Sequence, residues 1–204
     1  GVFVVVKNSL DIPKEFLKPS VEPSETGRYK GIEGYSKEIL YVTKHNYDGT
    51  NEEIQKHLEP FREIMDDRRE NQSGRLEFYH LHWPREESFF EQGPKILSIR
   101  KCDKPSFTYL EEDVYPMMAF YVIKSNRFDL KELTTLLNSR LVKFWLYHKG
   151  RMQGSNFQVD KDPLMQIPLK KSGSGLLNTF YSYIYSINNL NSQSRIKDEK
   201  ELIE

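Results

Sequence analysis

The sequence predicts an α+β fold, in which a small mixed or antiparallel sheet packs against helices and a further helix lies near the C-terminal end. Short apolar or aromatic runs of strand length are concentrated in the middle of the 204-residue chain. Segments with apolar residues at three- and four-residue spacing, the period of helices, lie on either side of them. A chain of this length can bury one ordinary domain core or two small ones.

The N-terminal part predicts two strands and a helix. Val2 to Lys7 is an apolar, β-branched run, and Glu38 to Lys44 is a second run of this kind. The segment between them contains three prolines among polar residues, which predicts a loop. A helix is expected to start near Asn51. Pro60 falls inside the helical pattern that follows, so we expect a kink or a second helix to begin there.

Four runs in the middle of the chain predict strands: Leu76 to Leu81, Lys95 to Arg100, Phe107 to Leu110 and Met118 to Lys124. Glycine–proline and lysine–proline pairs separate the later runs, because proline interrupts regular hydrogen bonding. The strands are short and closely spaced, which favours a small sheet.

A continuous amphipathic helix is predicted after the sheet. Asp129 is a suitable N-cap, and Glu132 three residues later completes a capping box. Gly150 is a natural end for this helix. We expect its apolar stripe to face the core rather than a ligand. The stripe consists of Leu130, Leu133, Leu137, Leu141, Phe144 and Trp145.

The expected domain organisation is one domain over residues 1–170, with residues 1–50 as its lead-in segment, followed by a linker and helix over 171–204. Lys170 to Gly175 is rich in Ser and Gly, as linkers are. Apolar residues then recur at helical spacing from Leu177 to Ile187. Tyr181, Tyr183 and Tyr185 suit either an interface with a partner or the rim of an ordinary helix packing.

Composition excludes several classes of protein. The 30 basic and 30 acidic residues give a formal net charge of zero, so any contact with a polyanion must come from local clustering. One cysteine, Cys102, excludes an internal disulfide framework and fits a reducing, cytoplasmic compartment. No apolar run is long enough to span a membrane, and no signal peptide is visible. The chain begins with Gly1 rather than Met, so we expect a piece of a longer protein.

One segment is locally basic. No acidic residue occurs between Leu133 and Val159, whereas the segment contains Arg140, Lys143, Lys149 and Arg151. A positive field at a helix end and the following glycine-rich loop is what DNA would meet. The alternative is a solvated last turn, in which basic side chains complement the helix dipole.

The sequence contains little that predicts catalysis or metal binding. His80 and His82 would share one face of a strand, but no third ligand has suitable spacing. Cys102 has no nearby base that would make it a nucleophile. Neither a phosphate-binding Gly-rich loop nor a dinucleotide fingerprint is present. We therefore expect no catalytic and no metal-binding residues in this chain.

Residues suited to DNA contact are better represented. His82-Trp83-Pro84-Arg85 places a large ring and a guanidinium at a predicted strand end, and Arg100 and Lys101 end the next strand. Arginine reads guanine and Asn or Gln reads adenine through paired hydrogen bonds, whereas lysine more often contacts phosphate. The alternative for Trp83 is a ring packed at the sheet edge, and the alternative for Arg100 and Lys101 is a solvated strand end.

Four sequence blocks follow one another along the chain. They are His57 to Phe61 with Met65 to Glu70; Tyr79 to Arg85; Gly93 to Ile96 leading to Arg100; and Leu136 to Leu141 with Lys149-Gly150 and Ile167-Pro168. In this order they resemble the TaqI-like C-terminal specificity domain of type II or IIG restriction–modification adenine methyltransferases. The similarity covers roughly residues 15–170 and also includes Phe16-Leu17-Lys18-Pro19 and Gly27-Arg28-Tyr29.

The resemblance implies a target recognition domain, an α+β module that selects the DNA sequence to be methylated. The parent enzyme would transfer a methyl group from S-adenosylmethionine to adenine N6 after base flipping. Some family members also include an endonuclease, which would need Mg²⁺. This chain lacks the Asn-Pro-Pro-Tyr type of box and a Gly-rich cofactor loop. We therefore expect the cofactor and the turnover to belong to the parent enzyme and not to this chain.

The expected partners are double-stranded DNA and a methyltransferase catalytic domain in the same or a partner chain, with no membrane. The residues expected to line the DNA face are Lys95, Arg100, Lys101, Lys149 and Arg151. The candidates for closer base or phosphate contact are Arg28, Lys30, His82, Arg85, Gln153 and Asn156.

Two alternatives remain at this point. The first is a specificity subunit of the type I kind, and the residues encoded before Gly1 would distinguish it, because a fused enzyme should contain the adenine-holding box there. The second is a protein-interaction module without a DNA role, which the zero net charge favours. Placement of Lys95, Arg100, Lys149 and Arg151 on different faces would support this second alternative.

Overall fold

The computed structural model describes residues 1–29, 31–32, 34–91 and 93–170, together with Thr179, Ser182 and Ser186. These residues form an α+β fold of short antiparallel sheets and helices, which confirms the predicted class. The strands are β1 (Val4–Val6), β2 (Leu17–Ser20), β3 (Lys37–Leu40), β4 (Lys95–Ile99), β5 (Lys101–Cys102), β6 (Phe107–Leu110), β7 (Phe120–Ile123), β8 (Arg151–Gln153) and β9 (Asn156–Gln158). The α-helices are α1 (Glu52–Leu58), α2 (Arg62–Asp66), α3 (Arg69–Gln72), α4 (Leu130–Leu137), α5 (Arg140–Lys149) and α6 (Lys161–Met165).

The first sheet has the strand order β1-β3-β2 and contains the two strands predicted from the N-terminal part. Strand β3 ends at Leu40, four residues earlier than predicted, because the Asn46 side chain accepts the Thr43 amide and donates to the Tyr41 carbonyl in a turn. Pro19 is tolerated in β2 because β2 is an edge strand, where a missing backbone N–H costs little.

Helix α1 begins as predicted, with the Asn51 side chain accepting the Ile54 amide at 3.0 Å. The predicted break at Pro60 is present: α1 ends at Leu58, one 3₁₀ turn follows, and α2 starts at Arg62. Ile54 and Leu58 are fully buried against the first sheet, so this half of the chain has its own apolar cluster.

The central sheet has the order β6-β4-β7 and contains three of the four strands predicted in the middle. Strand β4 is buried along its whole length. Helix α4 covers one face of the sheet, where Leu133 and Leu137 pack in the same cluster as Ile96. This sheet is the base on which the C-terminal elements are built.

The prediction of a strand over Leu76–Leu81 is wrong. The segment forms turns, in which the His80 amide donates to the Glu77 carbonyl and the His80 ring accepts the Glu77 amide. Its alternating apolar residues are explained by burial of Phe78 within the N-terminal cluster rather than by sheet pairing. The Leu81 amide still bonds to the Val42 carbonyl at 2.7 Å, which fixes the end of the segment.

The predicted single helix over 130–149 is two helices. Asn138 and Ser139 interrupt it, because the Ser139 hydroxyl accepts the Val142 amide and caps a new helix. Gly150 ends α5, as expected. The predicted loop after Gly150 is a hairpin of β8 and β9, closed by Gly154 at φ 63°, and β5 completes a third sheet in the order β5-β9-β8.

The predicted linker and C-terminal helix lie outside the described residues, apart from Thr179, Ser182 and Ser186. These three are helical and exposed. The domain boundary at residue 170 therefore stays a prediction. Within the part of the chain that the structure describes, no helix is long and apolar enough to cross a bilayer.

Candidate nucleic-acid interface

A basic cleft of about 620 Å³ lies at the start of α5. Its cationic lining residues are Arg28, Lys104, Arg140 and Lys143, and none of the described residues that line it is acidic. The first backbone N–H groups of α5 also lie here, because helix α5 starts at Arg140. Helix N-termini and clustered cations both favour a bound anion, so the cleft suits a phosphate group.

Asn138 gives the cleft its shape. Its side chain accepts the Phe107 amide at 3.1 Å and donates to the Phe107 carbonyl at 2.7 Å, so it joins the α4–α5 junction to strand β6. The Arg28 guanidinium donates both to the Asn138 side chain and to its carbonyl. Arg28 is therefore held in the wall of the cleft by a residue that is itself buried.

The third sheet presents a polar outer face at the other end of α5. Lys101 pairs with Gln158, which pairs with Arg151, so these three side chains point the same way. The neighbouring rung, Cys102, Phe157 and Met152, points into the core. Gln153 comes two residues after Arg151, and Asn156 comes two residues before Gln158. Both side chains are therefore on the outer face with Lys101 and Arg151.

The cleft and this outer face are linked by α5, which is about 15 Å long. Lys149 is exposed at its last turn, directly before β8. Along the axis of a DNA duplex, where one strand has a phosphate about every 3.4 Å, the same length covers about four phosphates of that strand. We call this surface the α5 basic region; it comprises Arg28, Lys101, Lys104, Arg140, Lys143, Lys149 and Arg151, with the amides of Gln153 and Asn156 beside them.

The structure thus brings together six of the residues predicted from the sequence. Lys104, Arg140 and Lys143 were not in the predicted set, although the last two belong to the basic segment. The signal for Arg140 and Lys143 is Asn138-Ser139, a helix stop followed by an N-cap, which creates a helix start in the middle of the predicted helix. No sequence signal identifies Lys104.

The buried position of Lys95 contradicts the expectation that it lines the DNA face. Its side chain is 0% exposed, and its Nζ donates to the Glu112 carbonyl at 2.7 Å. Burial lowers the pKa of this amine, and the nearby Asp113 carboxylate opposes that effect. The residue lies in a central strand that is covered on both faces, so it stabilises the Glu112 turn and is not available to a phosphate.

Arg100 is half-buried and already has partners. Its Nη1 donates to the Met118 carbonyl at 3.2 Å, and its guanidinium lies over the Tyr121 ring at 4.9 Å. It precedes Lys101 in an extended segment, and successive side chains of such a segment point to opposite sides. Arg100 is therefore not grouped with the outer face of the third sheet.

His82 and Arg85 lie in a separate segment, after the N-terminal helices. The His82 ring is 2.6 Å from the Glu70 carboxylate. Burial raises the pKa of Glu70, but hydrogen bonds from its own backbone amide and from His82 outweigh this effect, so the pKa lies below its usual value. Arg85 is exposed, and its carbonyl accepts the Tyr41 hydroxyl. Lys30 lies outside the described residues.

Among the described residues, no group of three His, Cys, Asp or Glu side chains could hold a metal ion. Cys102 is a free thiol, and burial, followed by the charge of Asp103, raises its pKa to about 11. A thiol with this pKa is protonated at neutral pH, and the thiolate is the nucleophilic form.

A family model described as the TaqI-like C-terminal specificity domain matches residues 5–169, and the chain belongs to this family. Among solved structures, the type IIL restriction–modification enzyme MmeI, determined in complex with DNA, shares the fold with a TM-score of 0.65 at 12% sequence identity. The match covers 99% of this chain and 30% of the MmeI chain. No curated protein matches the chain significantly.

Proposed function

We propose that this chain is the sequence-specific DNA recognition domain of a type II restriction–modification enzyme acting in the cytoplasm. It directs N6-adenine methylation, and cleavage in a parent that includes a nuclease, by a catalytic domain in the same or a partner chain. S-adenosylmethionine, and Mg²⁺ for a nuclease, belong to that parent. The observation that supports the proposal is the α5 basic region, which places cations and a helix start beside the exposed Gln153 and the half-buried Asn156 in a chain of zero net charge.

The two parts of this region suit different tasks. The cleft is lined by cations at a helix N-terminus, which suits phosphate and fixes the register of the duplex. The outer face of the third sheet includes Gln153 and Asn156, whose amides can pair with the adenine edge in the major groove. A two-stranded ribbon such as β8–β9 is narrow enough to enter that groove.

Arg151 and Asp160 form an ion pair at 3.6 Å, but the Arg151 side chain is 78% exposed. An exposed pair of this kind contributes little free energy, so a phosphate can compete for the guanidinium. The pair therefore does not oppose a contact with DNA.

The proposal is tested with a double variant, Lys149→Ala with Arg151→Ala, by fluorescence anisotropy on a labelled duplex between 50 and 200 mM salt. Two lost phosphate contacts should reduce the slope of log K against log salt by about two, with weaker binding to all sequences. Lys14→Ala with Lys44→Ala removes the same charge from exposed positions outside the region and serves as the control. Equal slopes for the two double variants would contradict the placement of the interface.

If the unaltered chain binds no duplex at all, the protein-interaction alternative gains and the DNA proposal fails. Burial of Lys95 and the separate packing of Arg100 remove two of the five residues expected to line the DNA face, and by the criterion given above their separation from Lys149 and Arg151 favours the protein-interaction alternative. The proposal therefore depends on Lys101, Lys149, Arg151 and the cleft.

A further inference from the structure

Trp83 combines two unusual properties. Its side chain is 73% exposed, and its backbone has φ 56°, in the left-handed region. A large side chain in this region is an outlier, because Cβ crowds the neighbouring carbonyl. Strain of this kind persists where the surrounding structure enforces it, and such positions cluster at binding sites.

Contacts on both sides of Trp83 hold the segment in place. Before it, the Leu81 amide bonds to the Val42 carbonyl, and the His82 ring bonds to Glu70. After it, the Tyr41 hydroxyl donates to the Arg85 carbonyl. The indole lies against the His82 ring, with the ring centroids 5.4 Å apart, and most of its surface is open to solvent. The fold therefore fixes the backbone and directs the ring outward.

The surroundings of the ring favour a flat π partner over a protein surface. Pro84, Arg85 and Glu86, which follow it in the chain, are all exposed, so the indole lies in a stretch that is mainly polar and includes an arginine. Protein interfaces are centred on contiguous apolar area. Single rigid aromatic side chains beside arginine are instead typical of base stacking.

We propose that Trp83 stacks on a nucleobase at an opened or kinked step of the bound duplex. This inference rests on the proposed DNA-recognition function and adds a second contact point, separate in sequence from the α5 basic region. An inserted side chain opens a base step and bends the duplex, which lets more of the protein contact the DNA. Stacking depends little on base identity, because every base has a π face.

The experiment uses the fluorescence of Trp83 itself. The chain has two tryptophans, and the other, Trp145, donates its Nε1–H to the Pro163 carbonyl at 3.0 Å and is half-buried. In a Trp145→Phe background, Trp83 is the reporter. On titration with duplex, stacking should quench its emission and protect it from acrylamide, while anisotropy of the labelled duplex measures binding independently.

Substitution provides the second readout. Trp83→Gly removes the ring and relieves the strain, because glycine adopts positive φ freely, so stability should be kept or increased. Duplex affinity should fall about tenfold, with an unchanged salt slope, since no ionic contact is lost. Trp83→Phe should recover part of the affinity. Phe89→Ala, at an exposed ring in the same part of the chain, is the control and should bind like the unaltered chain.

The outcomes separate this inference from the proposed function. A duplex that binds by anisotropy, with Trp83 emission unchanged and Trp83→Gly of full affinity, overturns the stacking role and leaves the DNA-recognition proposal intact. Protection of Trp83 only by a methyltransferase catalytic domain, and not by duplex, overturns it in favour of a protein contact. Absence of any duplex binding overturns both.

Discussion

At the scale of single residues, Asn138 is the most connected polar side chain of the candidate site. Its amide donates to Phe107 and Thr134, and its oxygen accepts the Phe107 amide. Asn138→Ala would leave buried backbone groups without partners, and each such group costs about 1–3 kcal/mol. We expect the variant to lose about 2–3 kcal/mol of unfolding free energy in urea denaturation.

Two further substitutions show how much of this loss in stability comes from the hydrogen bonds of Asn138. Asn138→Asp keeps an acceptor for the Phe107 amide but loses both donors, so it should also be destabilised. Asn126→Ala, at an exposed loop position, should change stability by less than about 0.5 kcal/mol. If Asn138→Ala were as stable as Asn126→Ala, the hydrogen bonds of Asn138 would not hold the cleft together.

Residue types alone predicted part of the site. The charges of Lys149 and Arg151 and the amides of Gln153 and Asn156 were visible in the sequence. The hairpin exposes Arg151 and Gln153 and leaves Asn156 half-buried. Lys95 was placed wrongly, although Ile96 to Ile99 is a nearly continuous apolar run, the pattern of a strand buried on both faces. A basic residue at the start of such a strand has its amine at a carbonyl and not in solvent.

At the scale of elements, the break between α4 and α5 is what creates a helix start within the basic segment. Apolar residues recur at helical spacing across the break, so periodicity predicted one helix. The expectation that the whole stripe faces the core is wrong for Leu141 and Phe144, which are 71% and 63% exposed. The new helix start turns Val142 and Leu146 to the core instead. The spacing of apolar residues does not show which hydroxyl caps a helix. Here Ser139 caps α5 through the Val142 amide, next to Asn138, which is hydrogen-bonded to Phe107 of β6. The strand wrongly predicted over Leu76–Leu81 has a similar cause, because buried turns can alternate polar and apolar residues like strands.

Substitutions of Ser139 separate capping from charge. Ser139→Ala loses the bond to the Val142 amide and should cost about 1 kcal/mol of unfolding free energy. Ser139→Asp keeps a capping oxygen, so stability should stay within about 0.5 kcal/mol of the unaltered chain. Its carboxylate would stand in the basic cleft, however, so duplex affinity should fall more than for Ser139→Ala. The opposite order of affinities would argue against phosphate binding in the cleft.

At the scale of the whole molecule, one aromatic cluster connects the first and central sheets. Tyr41, Phe90 and Tyr115 are buried together, with Ile39 on one side and Val122 on the other. The Tyr115 amide also bonds to the Pro19 carbonyl at 2.7 Å. The cluster therefore joins the N-terminal half to the sheet that supports the candidate interface, a connection between distant segments that no local sequence pattern reveals.

This cluster and Cys102 make stability sensitive to alkaline pH. Burial, followed by the charges of Glu87 and Glu91, raises the pKa of Tyr41 from 10.0 to about 12. Burial and Asp103 raise that of Cys102 from 9.0 to about 11. Both groups hold their protons more tightly when folded, so their contribution is complete below the unfolded pKa values and is lost as pH rises through the folded ones.

The unfolding free energy should therefore fall between pH 9 and 12, with a slope of at most about 1.4 kcal/mol per pH unit for each group. Lys95 acts in the opposite direction, since its lowered pKa makes the folded state gain stability as pH rises towards 10.5. The raised pKa of the buried Tyr115 acts in the same direction as those of Tyr41 and Cys102 and adds to the fall in unfolding free energy at high pH. Urea midpoints at pH 8, 10 and 11 measure the net slope, and Tyr41→Phe should reduce it above pH 10. Equal slopes above pH 10 for the unaltered chain and for Tyr41→Phe would show that Tyr41 titrates alike in the folded and unfolded chain, whatever the opposing contribution of Lys95.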